Sequence, residues 1–305
     1  MTQISSAEVQ ATLENLEQLR KELLGKGLKQ GFIVLAVCMA AAMFMYLTAP
    51  GSEGMAMLLA IVGVVLLPVC AGSKNREFSM RYKQEVIAPV ISELCARSRY
   101  SPCEGIDRDE FVASGLFARP DRFHSEDLIE GVIGNTPFRF SEVRAEEQRT
   151  RTNGKRVQTY YVDIFRGFIF IADFHKHFSG YTRVERDRTI KFNLGSGLRR
   201  VRLEDMAFES CFDVYSTDET EARYILTPLM MERFVGLERR FGGVQAAFSD
   251  SCVIIAIPDS TDHFEASVWR SVAGGRKLES EISTLRSLLS IVDQLDLNTR
   301  IWTKE

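Results

Sequence analysis

Residues 31–71, GFIVLAVCMAAAMFMYLTAPGSEGMAMLLAIVGVVLLPVCA, decide how this chain is built. They hold two apolar runs, Gly31 to Ala49 and Met55 to Ala71, without a charged residue in either, separated by Pro50-Gly-Ser-Glu-Gly54. At about 1.5 Å per residue, each run approaches the roughly 30 Å hydrocarbon core of a bilayer. A segment in lipid must satisfy its own backbone, so two such runs joined by a turn read as a transmembrane helical hairpin. A re-entrant hairpin and a pair of buried core helices are the alternatives, kept open by the shortness of the second run.

The flanks orient the hairpin. Arg20, Lys21, Lys26 and Lys29 precede it, Lys74, Arg76, Arg81 and Lys83 follow it, and the turn carries only Glu53. Basic residues stay on the cytoplasmic side, so both termini are expected inside and the turn outside. A cleaved signal peptide does not fit a run that starts some thirty residues in and is followed at once by another. Cys38 and Cys70 each follow a valine, where a lipoprotein signal needs a small residue.

About 230 residues follow the hairpin, enough for one large core or two small ones. Mean hydropathy is −0.07 in spite of the apolar runs, so the remainder is polar, as in a water-soluble domain. A net charge of −3 gives no argument for nucleic acid. The six cysteines show no paired spacing and read as reduced thiols, with Cys211 and Cys252 in apolar strand contexts.

Val9, Leu13, Leu16 and Leu23 predict a helix over 5–25 that ends at Gly25 and Gly27. Phe78, Tyr82, Val86, Val90 and Leu94 predict another over 76–99, kinked at Pro89. These two helices either pair or pack separately. Ser101–Gly105 marks a boundary, and Asp107 with Glu110 reads as a capping box, not a calcium loop. From Asp127 the period becomes two. Hairpins are expected at Leu128–Ile133 with Phe138–Ala145, around Asn153-Gly154, and at Val244–Phe248 with Val253–Ile257. Val157–Phe174 is a long strand in which Gly167 reads as a bulge or a bend, with shorter strands near 182–185, 190–194 and 198–203. Ser216–Glu219 reads as a second capping box, and Thr227-Pro228 opens a helix running to Gly242. Leu278 to Leu295 closes the chain as an amphipathic helix.

The fold class expected is α+β: an N-terminal two-helix transmembrane hairpin, then a cytoplasmic domain with a largely antiparallel sheet and packed helices. The divisions are 1–30 (cytoplasmic amphipathic helix), 31–71 (hairpin), 72–105 (juxtamembrane helix and linker) and 106–305 (α+β domain).

Leu203-Glu-Asp205, Phe208-Glu209, Phe212-x-Val-Tyr-Ser216, Glu221-Ala-Arg-Tyr224, Leu226-Thr-Pro228 and Met231-Glu232 form a recognisable series. With Asp173-Phe174, Lys176, Ser114–Phe117 and Phe264-Glu265, over roughly 80–298, it resembles a bacterial family catalogued as domain of unknown function 3137. The resemblance implies a bacterial inner membrane, an N-terminal anchor and a cytoplasmic domain. It also implies a LemA-type membrane protein as a partner, and supplies no catalytic residues.

Asp173, His175 and His177 alternate, so one strand face would carry three ligands for a metal ion; exposed residues at a strand end are the alternative. Glu204, Asp205 and Glu209 form an acid cluster for acid–base work, or else Asp205 and Glu209 cap or pair with Arg202. Four histidines without a G-x-S-x-G elbow give little for nucleophilic catalysis. Gly195–Gly197 before Arg199-Arg200 lacks the lysine and context of a phosphate loop and reads as a turn. Arg183, Arg186, Arg188, Arg199, Arg200 and Arg202 cluster in the short strands, and Arg149, Arg151, Lys155 and Arg156 at the 153–154 turn. Beside an anionic leaflet such residues bind lipid; otherwise they are solvated strand edges. The function expected is a membrane-tethered binding or scaffold module, partnering another membrane protein or anionic lipid, with no cofactor and no nucleic acid. The alternative is a membrane-bound hydrolase or metal enzyme using Asp173/His175/His177 or the Glu204 cluster.

Overall fold

The computed structural model describes residues 6–49, 51–153, 156–174, 177–186, 197–295 and 297. The described residues fall into two compact units, divided as Met1–Glu93 with Phe264–Ile282, and Leu94–His263 with Ser283–Glu305.

In the first unit α1 (Ser6–Thr48) is unbroken, so the stop expected at Gly25 and Gly27 does not occur. The reason lies in α2 (Glu53–Gly72), which packs along α1. A Cβ on Gly27 would lie 2.8 Å from the Cα of Ala71, and one on Gly63 2.8 Å from the Cβ of Cys38. Small residues at these positions let two helices approach closely, as helices in lipid commonly do. The outward faces are apolar: Phe32, Ile33, Phe44 and Leu47 on α1, and Met57, Leu58, Val64 and Val65 on α2, are each more than half exposed. Two helices are thus long and apolar enough to cross a membrane, and their most apolar windows are only 11% and 17% buried. Core helices of a soluble protein bury such residues.

The N-terminal half of α1 is different. Leu13, Leu16 and Leu23 are buried, and Glu17 and Arg20 hold the 268–272 segment. Arg20 Nη1 donates to the Val268 carbonyl at 2.7 Å, while Glu17 accepts from Ser271 Oγ at 3.1 Å and the Val272 N–H at 3.2 Å. α3 (Asn75–Tyr82) packs on α1, so these helices pair. A π-helical turn, Lys83–Ile87, leads into α4 (Ala88–Leu94). Pro89 has no N–H for the Glu85 carbonyl, and the wider turn sits where the α-helical ladder is interrupted. The expected extension to residue 99 fails because Ser98–Ser101 is a strand. Lys83, 2% exposed, pairs with Glu265 at 2.6 Å.

In the second unit the described strands form one all-antiparallel sheet: β1 (Ser98–Ser101), β2 (Arg122–Ile133), β3 (Thr136–Asn153), β4 (Arg156–Asp173), β5 (Thr182–Arg186), β6 (Arg199–Val201), β7 (Phe212–Ser216), β8 (Gln245–Ser249) and β9 (Cys252–Pro258). Their order is β1-β2-β3-β4-β9-β8-β5-β7-β6. The expected 190–194 strand lies outside the described residues. The register places Ile129, Phe140, Phe170, Ile255, Ala246, Val184, Val214 and Val201 in one row, all buried. The sheet face carrying this row also meets α8 (Pro228–Phe241), whose Phe234 contacts Phe212 and Phe248.

The other face of the central strands carries Val143, Ala145, Phe165, Ile169, Ile171 and Ile254, covered by Phe111 of α5 (Arg108–Ala113) and by Leu116. β4 is therefore buried on both faces, which is why 164–172 is nearly continuous in apolar residues. The bulge on β4 is at Ile164, where pairing skips from Ala145↔Phe165 to Glu146↔Asp163, and not at Gly167. Gly167 stays in register with φ +143°, and a Cβ there would lie 2.1 Å from the Ile257 carbonyl oxygen.

Two caps differ from expectation. Asp107 occupies the N-cap of α5 without a capping bond, and Glu110 pairs with Arg139. In α7 (Glu219–Ile225) the cap is Asp218, accepting from Thr220 and Glu221, because Ser216 ends β7. α6 (Met206–Glu209) is one turn. Thr227 caps α8 by accepting from Met230 N–H, and Gly242 at φ +69° ends it, as expected. The closing helix is interrupted at Ser290, between α9 (Arg276–Leu289) and α10 (Ile291–Gln294).

Candidate binding surfaces

The α5-side face changes character across the sheet. Its row Ile171, Ile254, Ala247 continues in register as Arg183, Tyr215 and Arg200. The loop after α5 stops at this point: Tyr181 Oη donates to the Ser114 carbonyl at 2.7 Å and Arg183 Nη1 to the Gly115 carbonyl at 3.0 Å. The next row brings Glu185 beside Asp213. Arg183 pairs with Glu185 at 3.1 Å, and Arg200 contacts Asp213 and lies 3.7 Å from Glu209. The Tyr215 hydroxyl is pushed upward, first by burial and then by Asp213 and Glu185.

This row splits the arginines grouped by sequence. Arg183 and Arg200 are occupied by acids. Arg186 is 61% exposed and 3.9 Å from Glu238. Arg199 and Arg202 are exposed, without an ion pair among the described residues. Arg188 lies outside the described residues.

Two acids of the cluster hold local backbone groups. Asp205 caps α6, accepting from Phe208 N–H at 2.8 Å, and Glu209 accepts from Leu203 N–H at 2.8 Å. Glu209 faces Arg200, not Arg202, and Glu204 is exposed. β4 ends at Asp173, so the alternation that would put three ligands on one strand face does not reach His177, which is exposed beyond the strand. His175 lies outside the described residues, as do Gly195 and Ser196. The described cysteines are free thiols; Cys211 and Cys252 are half-buried, and burial pushes the Cys252 thiol upward.

A second surface is the far end of the β3–β4 hairpin. β2 reaches only Glu146, opposite Arg122, and β9 only Gly167, opposite Pro258. Glu147↔Val162 through Asn153↔Arg156 continue as a two-stranded ribbon, about 20 Å long at 3.4 Å per residue. Asp121 Oδ2 anchors its base by accepting from Gln148 N–H at 2.6 Å, and Arg122 stacks on the Tyr161 ring at 3.4 Å. Paired residues share a face, so Arg149 lies opposite Tyr160 and Arg151 opposite Gln158. The other face holds Gln148, Thr150, Thr152, Val157, Thr159 and Tyr161, all uncharged. The sequence marks the basic cluster here. The segregation to one face follows from the Arg-Thr-Arg-Thr alternation of 149–152 once register is known.

Sequence reasoning missed a buried polar group beneath β3. Glu142 accepts from the His263 backbone N–H at 3.0 Å, and the His263 ring meets Asp259 at 2.9 Å. Burial pushes the Glu142 carboxyl up to about 8, against the His263 amide bond. Burial also acts on Asp259, but its bonds to Thr261 and His263 outweigh it and hold the carboxyl low. An acid on an otherwise ordinary polar strand carries no signal of this in the sequence.

The described residues thus define a chain with two helices apolar enough to cross a membrane and an α+β unit built on an antiparallel sheet. Residues 163–297 match the family described as "Protein of unknown function (DUF3137)". The match contains the whole 203–232 series but not the upstream part of the 80–298 resemblance. No curated protein matches the chain. Among solved structures, the mycobacterial trehalose monomycolate transport factor A, TtfA, is similar at 10% identity, over 70% of this chain and 94% of that one, with a TM-score of 0.35. A likeness that slight carries no argument.

Proposed function

We propose that this chain is a membrane-tethered binding module of the bacterial inner membrane, with both termini in the cytoplasm. The 31–71 hairpin is its anchor, 72–105 the juxtamembrane segment and 106–305 the cytoplasmic domain, which works by docking a protein partner or anionic lipid. The observation that carries this reading is the outward apolar surface of α1 and α2 around a glycine-lined contact. Such a surface suits lipid, and water would expel it. The basic flanks support the orientation. A LemA-type partner gains no support from the fold or from similar proteins and is set aside. Alkaline carbonate extraction tests the tether: the chain is expected to stay in the membrane pellet, and release with peripheral proteins would overturn it.

A further inference from the structure

We propose that the β3–β4 ribbon is a headgroup-binding arm, whose Arg149/Arg151/Tyr160 face docks on an anionic lipid surface. This deepens the tethered reading and rests on it.

Three observations carry the inference. First, the ribbon is more than the sheet needs, since among the described residues its last seven pairs are tied to the rest of the chain only at the base, by the Asp121 hydrogen bond and the Arg122–Tyr161 stack. A two-stranded ribbon in water is marginally stable, so a long one with an exposed basic face is a costly feature without a partner. Second, beyond the first pair, which holds Glu147, its charge is one-signed. Residues 148–162 hold Arg149, Arg151, Lys155 and Arg156 and no acid, in a chain of net charge −3. At its base Arg149 lies 3.3 Å from Glu147 in an exposed pair, which costs little to exchange, and Arg151 has no ion pair among the described residues. Third, the basic positions are mixed with amphipathic surface. Tyr160 is 45% exposed and lies beside Arg149 on the same face. Arginine with tyrosine suits the interfacial zone, where the ring sits among headgroups and the guanidinium takes phosphate oxygens.

An anionic leaflet is the occupant favoured because a chain with two membrane-type helices meets one wherever it is inserted. Each basic residue near such a surface adds attraction, which falls off within a Debye length. Single-stranded nucleic acid shares the arginine and aromatic chemistry and is an outcome of the test.

The test uses the full chain in nanodiscs, with incorporation checked first by co-elution with the disc. Backbone hydrogen exchange over 147–162 is compared in phosphatidylcholine discs and in discs containing phosphatidylglycerol. Free vesicles of the same lipids are added to allow docking on a second surface. Exchange is expected to slow about tenfold with phosphatidylglycerol only. The slowing should vanish in about 1 M salt, where the Debye length is about 3 Å. It should also vanish in Arg149→Glu/Arg151→Glu and persist in Arg149→Lys/Arg151→Lys, which keeps the charge. Equal exchange in both lipids by an incorporated chain would overturn the arm and leave the tether standing. Slowing by a single-stranded RNA oligonucleotide in neutral discs, without a lipid effect, would also overturn it. A chain that does not incorporate would contradict the tether instead.

Discussion

Arg200 on edge strand β6 contacts the carboxylate of Asp213 on β7, a side chain only 3% exposed. The pair turns an apparently surface arginine into the counter-charge of a buried acid. Arg200→Glu removes that counter-charge and adds a like one. It is expected to destabilise the sheet unit by about 2–4 kcal/mol, below the full penalty of a wholly buried pair because Arg200 is partly solvated. Arg199→Glu, one residue away and exposed, should change stability by less than about 0.5 kcal/mol. Denaturant melts of the two variants check this, and equal stabilities would contradict it.

Glu17 joins residues far apart in sequence, accepting from Arg20, Ser271 and Val272. Glu17→Ala leaves the Val272 N–H without its acceptor and frees Arg20 from its ion pair. A loss of about 1–3 kcal/mol is expected. Limited proteolysis reads it as faster cutting within 266–275, whereas unchanged cutting would show that the segment is held by packing alone.

The helix–helix contact gives a steric prediction. Gly27→Val and Gly63→Val each place a branched side chain where a single Cβ already meets the neighbouring helix. Each should lower hairpin stability in detergent by about 1–3 kcal/mol. Gly54→Val, with nothing within 4 Å of its Cβ, is the control. Thermal melts in one detergent should separate the first two from the third.

Glu142 makes stability depend on pH with a definite sign. Its carboxyl is raised from 4.5 to about 8 in the fold, mainly by burial, so the native state holds a proton that the unfolded chain releases. Its contribution is complete below about pH 4.5 and is lost as pH rises through about 8. Glu142→Gln, neutral throughout, should flatten the decline between about pH 5 and pH 8. An unchanged slope in denaturant melts would assign the dependence to other groups.

Local signals were legible where local chemistry decides. Thr227-Pro228 and Gly242 bound α8 because capping and positive φ depend on adjacent residues. The turn at Ser249–Ser251 divides β8 from β9 for the same reason. The apolar runs announced α1 and α2. Gly27 misled because local propensity marks a glycine as a stop, while its role is contact with Ala71 forty-odd residues on. Of the two readings of Gly167, the bulge falls instead on Ile164, and the glycine's small size serves the approach of β9. The arginine cluster was visible as composition. Its division into occupied Arg183 and Arg200 and exposed Arg199 and Arg202 depends on which strands lie next to β7. The Glu17 and Glu142 contacts span too much chain to leave any sequence pattern.

In the proposed topology α1 and α2 cross the membrane as a hairpin with both chain ends in the cytoplasm. A paired reporter, one half active only in the cytoplasm and the other only outside it, measures this directly when fused after Ser52 in the turn and after Glu305. Outside activity is expected at Ser52 and cytoplasmic activity at Glu305. Cytoplasmic activity at both positions, or outside activity at Glu305, would contradict it.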